Sequence, residues 1–176
     1  LVVAPSQELA MQIVEVIRQW TEGTDITVQQ LIGGANSARQ IEKLKKKPTI
    51  VVGTPGRLNE LVRQGKLKLK EIETVVLDEC DQLLSREYRV VVKSFIEDAA
   101  FGRQVVVVSA TITEEIQLVA ERLMVEPVAI QIKPEDLVKF GKVVHSFIKV
   151  DERDKTDMLR RLSNIDGMRG LAFVNN

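Results

Sequence analysis

Thr74-Val75-Val76-Leu77-Asp78-Glu79-Cys80-Asp81 runs four strand-forming residues directly into a cluster of acids. A short β-branched run of this kind reads as a strand buried on both faces, and its carboxyl end is where open α/β sheets place their ligands. On these residues alone two readings of the acids stand. In one, Asp78 holds a hydrated magnesium ion, through water, beside a nucleotide phosphate, and Glu79 orients and deprotonates an attacking water. In the other, Asp78 is a helix N-cap and the acids occupy a first turn favoured by the helix dipole.

Outward from this run the hydrophobic pattern switches repeatedly between two periods. Further strands are expected at residues 1–4, 26–32, 49–52, 105–108 and 128–132. Helical faces lie between them: Leu9, Ile13, Val16, Ile17 and Trp20; Ala38, Ile41 and Leu44; Tyr88, Val91, Val92, Phe95, Ile96 and Ala99; Ile116, Val119, Ala120 and Leu123. Alternating strands and helices predict parallel strands joined by right-handed crossovers, an α/β fold of three layers. At residues 133–142, with Pro134 and Gly141, the pattern lapses into a linker. A strand at 143–150, a helix at 154–163 with Met158, Leu159 and Leu162 on one side, and a strand at 171–174 then follow. That unit is too small to bury a core of its own. The expected organisation is a partial domain over 1–132, a linker over 133–142, and the start of a second domain over 143–176.

Of the 176 residues, 44% are hydrophobic and 28% charged, which excludes a disordered chain. Cys80 and His145 are the sole cysteine and histidine, so no disulfide framework or cysteine/histidine zinc cluster assembles within the chain. No apolar stretch approaches the roughly 20 residues of a membrane span, and no secretory signal pattern opens the chain. The expectation is a cytoplasmic, soluble protein. With 25 basic and 25 acidic residues the net charge is zero, yet the charges are segregated. Arg39, Lys43, Lys45, Lys46, Lys47, Arg57, Arg63, Lys66, Lys68 and Lys70 face only Glu42 and Glu60 across one stretch, and Glu71, Glu73, Asp78, Glu79 and Asp81 follow. This is either a basic face beside an acidic site or solvated decoration of helix surfaces.

Three strand-end loops share one chemistry. Thr54-Pro55-Gly56-Arg57 places a cap, a proline suited to the first helical position, a glycine that admits a close ligand and a forked cation at a helix start. Gly33-Gly34 and Pro5-Ser6-Gln7-Glu8 follow strands in the same way. Each alone is an ordinary turn; together they suit a track that holds a sugar-phosphate backbone without reading bases. Ser109-Ala110-Thr111 ends another strand with two hydroxyls able to bond a neighbouring acidic loop.

Read in order, Pro5-Ser6-Gln7-Glu8-Leu9-Ala10, Gly33-Gly34, Thr54-Pro55-Gly56-Arg57, Asp78-Glu79-Cys80-Asp81, Ser109-Ala110-Thr111 and Leu171-Ala172-Phe173-Val174-Asn175-Asn176 resemble the successive motifs of DEAD-box RNA helicases, in a variant with cysteine in the acidic box. The resemblance implies RecA-like domains that close on ATP, magnesium and RNA, with local strand separation. It implies that Glu79 is the catalytic base, that Asp78 is the magnesium-side acid, and that Asp81, Ser109 and Thr111 link ATP state to RNA affinity. Pro5, Ser6, Gln7, Glu8, Gly33, Gly34, Thr54, Pro55, Gly56 and Arg57 would grip RNA phosphates, with 2′-hydroxyl contacts favouring RNA over DNA.

The sequence departs from the family in three places. Ser6 and Gln7 stand where threonine and arginine are usual, which removes one cationic phosphate contact. Cys80 replaces the usual alanine and reads as a small buried side chain rather than a redox group. No Gly-x-x-x-x-Gly-Lys-Ser/Thr loop occurs; Gly65-Lys66-Leu67 and Gly141-Lys142-Val143 lack both the upstream glycine and the hydroxyl. In the family that loop precedes the strand at Leu1, and arginines beyond the position of Asn176 complete the ATP site. The expectation is therefore a fragment of a helicase with little or no ATPase of its own and with sheet edges open to self-association. A non-catalytic RNA-binding scaffold and a DNA helicase or translocase are the alternatives.

Overall fold

The computed structural model describes residues 1–34, 36–131 and 144–173. They form two compact units, Leu1–Ala129 and Ile130–Asn176. In the first, strands β1 (Val2–Val3), β2 (Val28–Leu31), β3 (Ile50–Gly53), β4 (Thr74–Leu77) and β5 (Gln104–Val107) alternate with helices α1 (Gln7–Trp20), α2 (Ser37–Leu44), α3 (Pro55–Arg63), α4 (Cys80–Leu83), α5 (Arg89–Glu97) and α6 (Glu114–Leu123). The sheet order is β2-β3-β1-β4-β5 and every pairing is parallel. The three-layer α/β expectation holds for this unit.

Crossover handedness decides which face each helix covers. The step from β1 to β2 runs one way across the sheet, whereas those from β2 to β3, β3 to β4 and β4 to β5 run the other way. A right-handed connection therefore puts α1 on one face and α2, α3 and α5 on the opposite face. Two separate cores follow. Ala10 and Val14 of α1 pack on Ala4, Ile32 and Val52. Leu58 and Leu61 of α3 and Val92, Phe95 and Ile96 of α5 pack on Val3, Leu31, Val51, Val75 and Leu77, joined by Ile41 and Leu44 of α2 and Ala120 of α6. Adjacent residues such as Val3 and Ala4, or Val51 and Val52, serve opposite cores, as strand alternation requires.

Several expectations need correction. In α1 the buried residues are Ala10 and Val14, while Trp20 is 81% exposed, because the helix ends past the region that the sheet covers. Strand β5 forms, yet Val105, Val106 and Val107 are only half-buried and Val108 is exposed, since β5 is an edge strand. Residues 128–131, 144–150 and 171–173 are not strands. An extended segment becomes a strand only where a neighbour completes its ladder, and among the described residues none pairs with them. Residue 132, the whole expected linker 133–142, Val143, and Val174, Asn175 and Asn176 lie outside the described residues. The second unit contains a 3-10 turn at Glu152–Asp154 leading into helix α7 (Lys155–Ser163), where Met158 and Leu162 are half-buried and Leu159 is exposed.

Candidate functional site

Strand register fixes the site before any side chain is considered. Leu31 pairs with Gly53, Gly53 with Val3, Val3 with Leu77, and Leu77 with Val107, so the carboxyl ends of all five strands stand abreast. At a strand spacing of about 4.8 Å, five loops share an edge roughly 20 Å long. In spatial order they carry Gly33-Gly34, Thr54 to Arg57, Pro5 to Glu8, Asp78-Glu79 and Ser109 to Thr111. The three loops with phosphate-type chemistry are therefore contiguous, and the acidic loop separates them from the Ser-Ala-Thr loop.

Ser6 is the N-cap of α1: its Oγ accepts from the amide of Leu9 at 3.2 Å, with Glu8 in the first turn. A methyl group on Gly33 would lie 3.4 Å from Nε2 of Gln7, so the loops that follow β1 and β2 meet. Gly34, at φ +70°, occupies a conformation that favours glycine. Thr54 precedes α3 with its hydroxyl making no cap bond, Pro55 takes the first helical position and is buried, and Thr54 N donates to Leu31 O at 3.2 Å. Gly56 is exposed with nothing within 4 Å of where a Cβ would stand, so the fold itself does not demand glycine there. Gly53 is the opposite case, since a Cβ would lie 2.5 Å from Leu31 O and 2.9 Å from Leu58 Cδ2.

Arg57 points inward. Its side chain is 6% exposed. Nε donates to Gln40 Oε1 at 3.1 Å, Nη2 to Ser37 Oγ at 2.7 Å, and Nη1 to the Glu60 carboxylate. The Arg57 bond holds the Glu60 carboxyl below its ordinary range. Gln40 in turn donates from Nε2 to Ile32 O at 3.0 Å. Neither Ser37 nor Gln40 was among the expected site residues. The available signal is their position on α2, where Ser37, Gln40, Ile41 and Leu44 follow i, i+3, i+4, i+7 spacing and share the inward face.

Asp78 is not an N-cap. Glu79 takes that place, with a left-handed backbone at φ +50° and ψ +55° and no side-chain cap bond. Asp78 Oδ1 accepts from the Glu79 amide at 3.0 Å, and Glu79 Oε2 accepts from Gln82 Nε2 at 2.8 Å. A left-handed glutamate costs about 1–2 kcal/mol, the kind of strain that concentrates at functional positions. Asp81 lies one turn on and accepts from Ser109 Oγ and Thr111 Oγ1, both at 2.9 Å. Those bonds, that of Ser109 foremost, lower its carboxyl pKa. Cys80 is a buried core residue, and burial pushes its thiol pKa up.

Among the described residues no cluster of three or more histidine, cysteine or acidic side chains offers a metal cage. Among the described residues one Asp78 oxygen has no protein donor, and with Glu79 beside it this donor set fits magnesium, which retains several waters and needs only one or two carboxylates. Gly65-Lys66 is no phosphate loop. Gly65, at φ +66°, closes the carboxyl end of α3 with its amide on Val62 O. The basic run is likewise displaced from the acids. Lys45, Lys46 and Lys47 precede β3, and Lys66, Lys68 and Lys70 precede β4, which puts both groups at the amino ends of the strands, opposite the five loops.

A parallel sheet that lines up an acidic strand end with phosphate-type loops on one side and a hydroxyl loop on the other has the α/β arrangement of RecA-like domains. Residues 1–119 match the DEAD/DEAH box helicase family, and the chain belongs to it. It is 43% identical, over all of its length and 46% of the relative's, to a Bacillus subtilis protein named "Probable ATP-dependent RNA helicase YfmL". The chain spans about half the length of the curated relatives it matches. Among solved structures it resembles a DEAD box protein from the hyperthermophile Methanococcus jannaschii, at a TM-score of 0.73 and 28% identity, over 93% of this chain and 43% of that one. It also resembles the DEAD-box helicase Mss116 bound to single-stranded RNA and UDP-BeF, at a TM-score of 0.63 and 26% identity, over 70% and 27%. Among the described residues no helix is long and apolar enough to cross a membrane.

Proposed function

We propose that these residues are the RNA-gripping and hydrolysis-coupling part of an ATP-dependent RNA helicase that remodels short duplexes. The observation that carries this reading is the common register of the five strand ends. Bound Mg-ATP supplies the reacting phosphoryl group and the cation that neutralises it. Asp78 would hold the hydrated magnesium through the carboxylate oxygen that the Glu79 amide does not occupy. Glu79 takes the proton of the attacking water, its carboxylate steadied at Oε2 by Gln82 Nε2 of α4. Asp81 ties this loop to Ser109 and Thr111, so that a displacement at the acids is felt at the neighbouring strand end. Pro5 to Glu8, Gly33-Gly34 and Thr54 to Gly56 hold successive RNA phosphates through backbone amides and small side chains.

The organisation proposed is a first RecA-like domain over 1–132, a linker over 133–142 and the start of a second over 143–176, in a cytoplasmic protein. These 176 residues contain no Gly-x-x-x-x-Gly-Lys-Ser/Thr sequence, so as an isolated polypeptide they are proposed to hydrolyse little or no ATP. The open edge of β5 is proposed to pair with a second copy, and a monomer by light scattering at high concentration contradicts that pairing.

Two assays test the reading. Competition between matched RNA and DNA single strands is expected to favour RNA; preference for DNA supports a DNA translocase instead. RNA-stimulated ATPase is expected to be absent both in this chain and in Glu79→Gln. Turnover that disappears in Glu79→Gln contradicts the proposed inactivity, and an intact biological role for Glu79→Gln in the full-length protein supports a non-catalytic scaffold.

A further inference from the structure

We infer that Arg57 and Gln40 form a buried clamp that sets the spacing of two RNA-holding loops, and that Arg57 acts as a positioning residue rather than as a phosphate ligand. The inference rests on the proposed RNA-gripping role of those loops. It starts from an oddity of composition: Gln29, Gln40 and Arg57 are the buried polar or charged residues of the described chain, and two of the three bond one another. A guanidinium removed from water is retained at a cost unless its fork is matched by acceptors. Here each of its three nitrogens has one. Nε reaches Gln40, Nη2 reaches Ser37, and Nη1 reaches Glu60.

The partners are not neighbours in sequence, and that is the point of the device. Arg57 is the third residue of α3, directly after the Thr54-Pro55-Gly56 loop. Ser37 is the first residue of α2, and Gln40 passes the contact on to the carbonyl of Ile32, directly before Gly33-Gly34. One planar group thus joins the start of one helix to the start of another and, through Gln40, to the strand end beneath the glycine pair. The main-chain bond from Thr54 N to Leu31 O closes the same circuit from below. Loops that must match consecutive phosphates gain affinity from being held at fixed separation before the RNA arrives.

Two properties separate a clamp from a ligand. A side chain that contacts a phosphate contributes about one to the slope of log affinity against log salt, and lysine replaces it partly as a point charge. A clamp contributes nothing to that slope, and lysine cannot occupy three acceptors in a planar fork. The experiment is single-stranded oligo-uridylate binding by fluorescence anisotropy across a salt series, for the wild-type chain, Arg57→Lys, Gln40→Ala and the double variant. Both single variants are expected to weaken binding about tenfold with an unchanged slope, and the double variant to lose little more than either alone. Wild-type affinity in Arg57→Lys, or weaker binding in Arg57→Lys with Gln40→Ala silent, overturns the clamp.

A second readout needs no RNA. Amide hydrogen exchange at position 40, on the Gly33-Gly34 side, and at Thr54 and Leu58, on the other, where the amides bond Asn36 O, Leu31 O and Thr54 O, is expected to quicken about tenfold in either variant, with α1 and α5 unchanged. Ser37→Thr, which keeps the hydroxyl, is expected to exchange as wild type, and Ser37→Ala to quicken. Exchange that changes only in the loop next to the substituted residue overturns the clamp. If the wild-type chain shows no RNA binding, the proposed function fails on that result alone, and the exchange data still decide whether the two loops are coupled.

Discussion

Ser109 Oγ donates to Asp81 Oδ1 at 2.9 Å, joining the loop after β5 to the short helix that follows β4. Thr111 Oγ1 holds the other oxygen of the same carboxylate at the same distance. Two loops 28 and 30 residues apart in sequence thus share one charge. Losing either bond leaves the Asp81 carboxylate with one of its two hydroxyl donors.

These bonds make stability depend on pH. They favour the ionised form of Asp81 and lower its pKa in the folded protein, so their contribution is complete above the ordinary carboxylate value of about 4 and lost as pH falls through the lowered value. Urea unfolding of a Ser109→Ala/Thr111→Ala variant is expected to show a deficit against wild type at pH 7 that narrows at pH 3. A deficit that widens on acidification contradicts the assignment.

The left-handed backbone of Glu79 predicts that glycine is the more stable residue there. Glu79→Gly is expected to stabilise the fold by about 1 kcal/mol in thermal or urea unfolding while removing the proposed base. Glu79→Gln keeps the Cβ and is expected to leave stability near wild type.

Gly53 and Gly56 lie three residues apart and are expected to respond oppositely to alanine. At Gly53 the added Cβ meets Leu31 O and Leu58, and overpacking of that kind costs about 1–3 kcal/mol. At Gly56 the Cβ meets open space and alanine suits a helix better, so stability is expected to be unchanged or to rise by up to about 1 kcal/mol. RNA affinity is expected to fall for Gly56→Ala if a phosphate approaches there. Unfolding curves and anisotropy on the two variants separate the effects.

Cys80 is expected to resist alkylation in the folded chain, since burial both shields the thiol and disfavours its thiolate. Labelling measured across a urea gradient is expected to track global unfolding. Labelling complete in seconds without denaturant contradicts a purely packing role.

The acidic strand end, the glycine pair and the proline-capped helix start were legible in the sequence because each depends on local chemistry, namely β-branched runs, cap residues and positive φ. Periodicity also gave the right helices, yet it placed Trp20 in the core. It reports which residues share a face and not how far the sheet beneath extends. Arg57 read as a free cation because its partners at Ser37 and Gln40 are 20 and 17 residues away, brought close only by the crossover through β3. The lysine run read as a neighbour of Asp78 for the complementary reason. Helices α2 and α3 carry the chain from the loop edge to the far end of the sheet, so Lys45 to Lys47 and Lys66 to Lys70 end up opposite the acids. The expected strands at 128–132 and 143–150 had the right composition, but residues 128–131 and 144–150 find no partner ladder among the described residues, which no local pattern reveals.

Amide chemical-shift mapping with a short single-stranded RNA tests the central claim most directly, because it asks where along the molecule the backbone is held. Shifts are expected at Ser6, Gln7, Gly33, Gly34, Thr54 and Gly56, in the same set for two unrelated sequences and fading as salt is raised. Shifts confined to Lys45 to Lys47 and Lys66 to Lys70, at the opposite end of the strands, would contradict it.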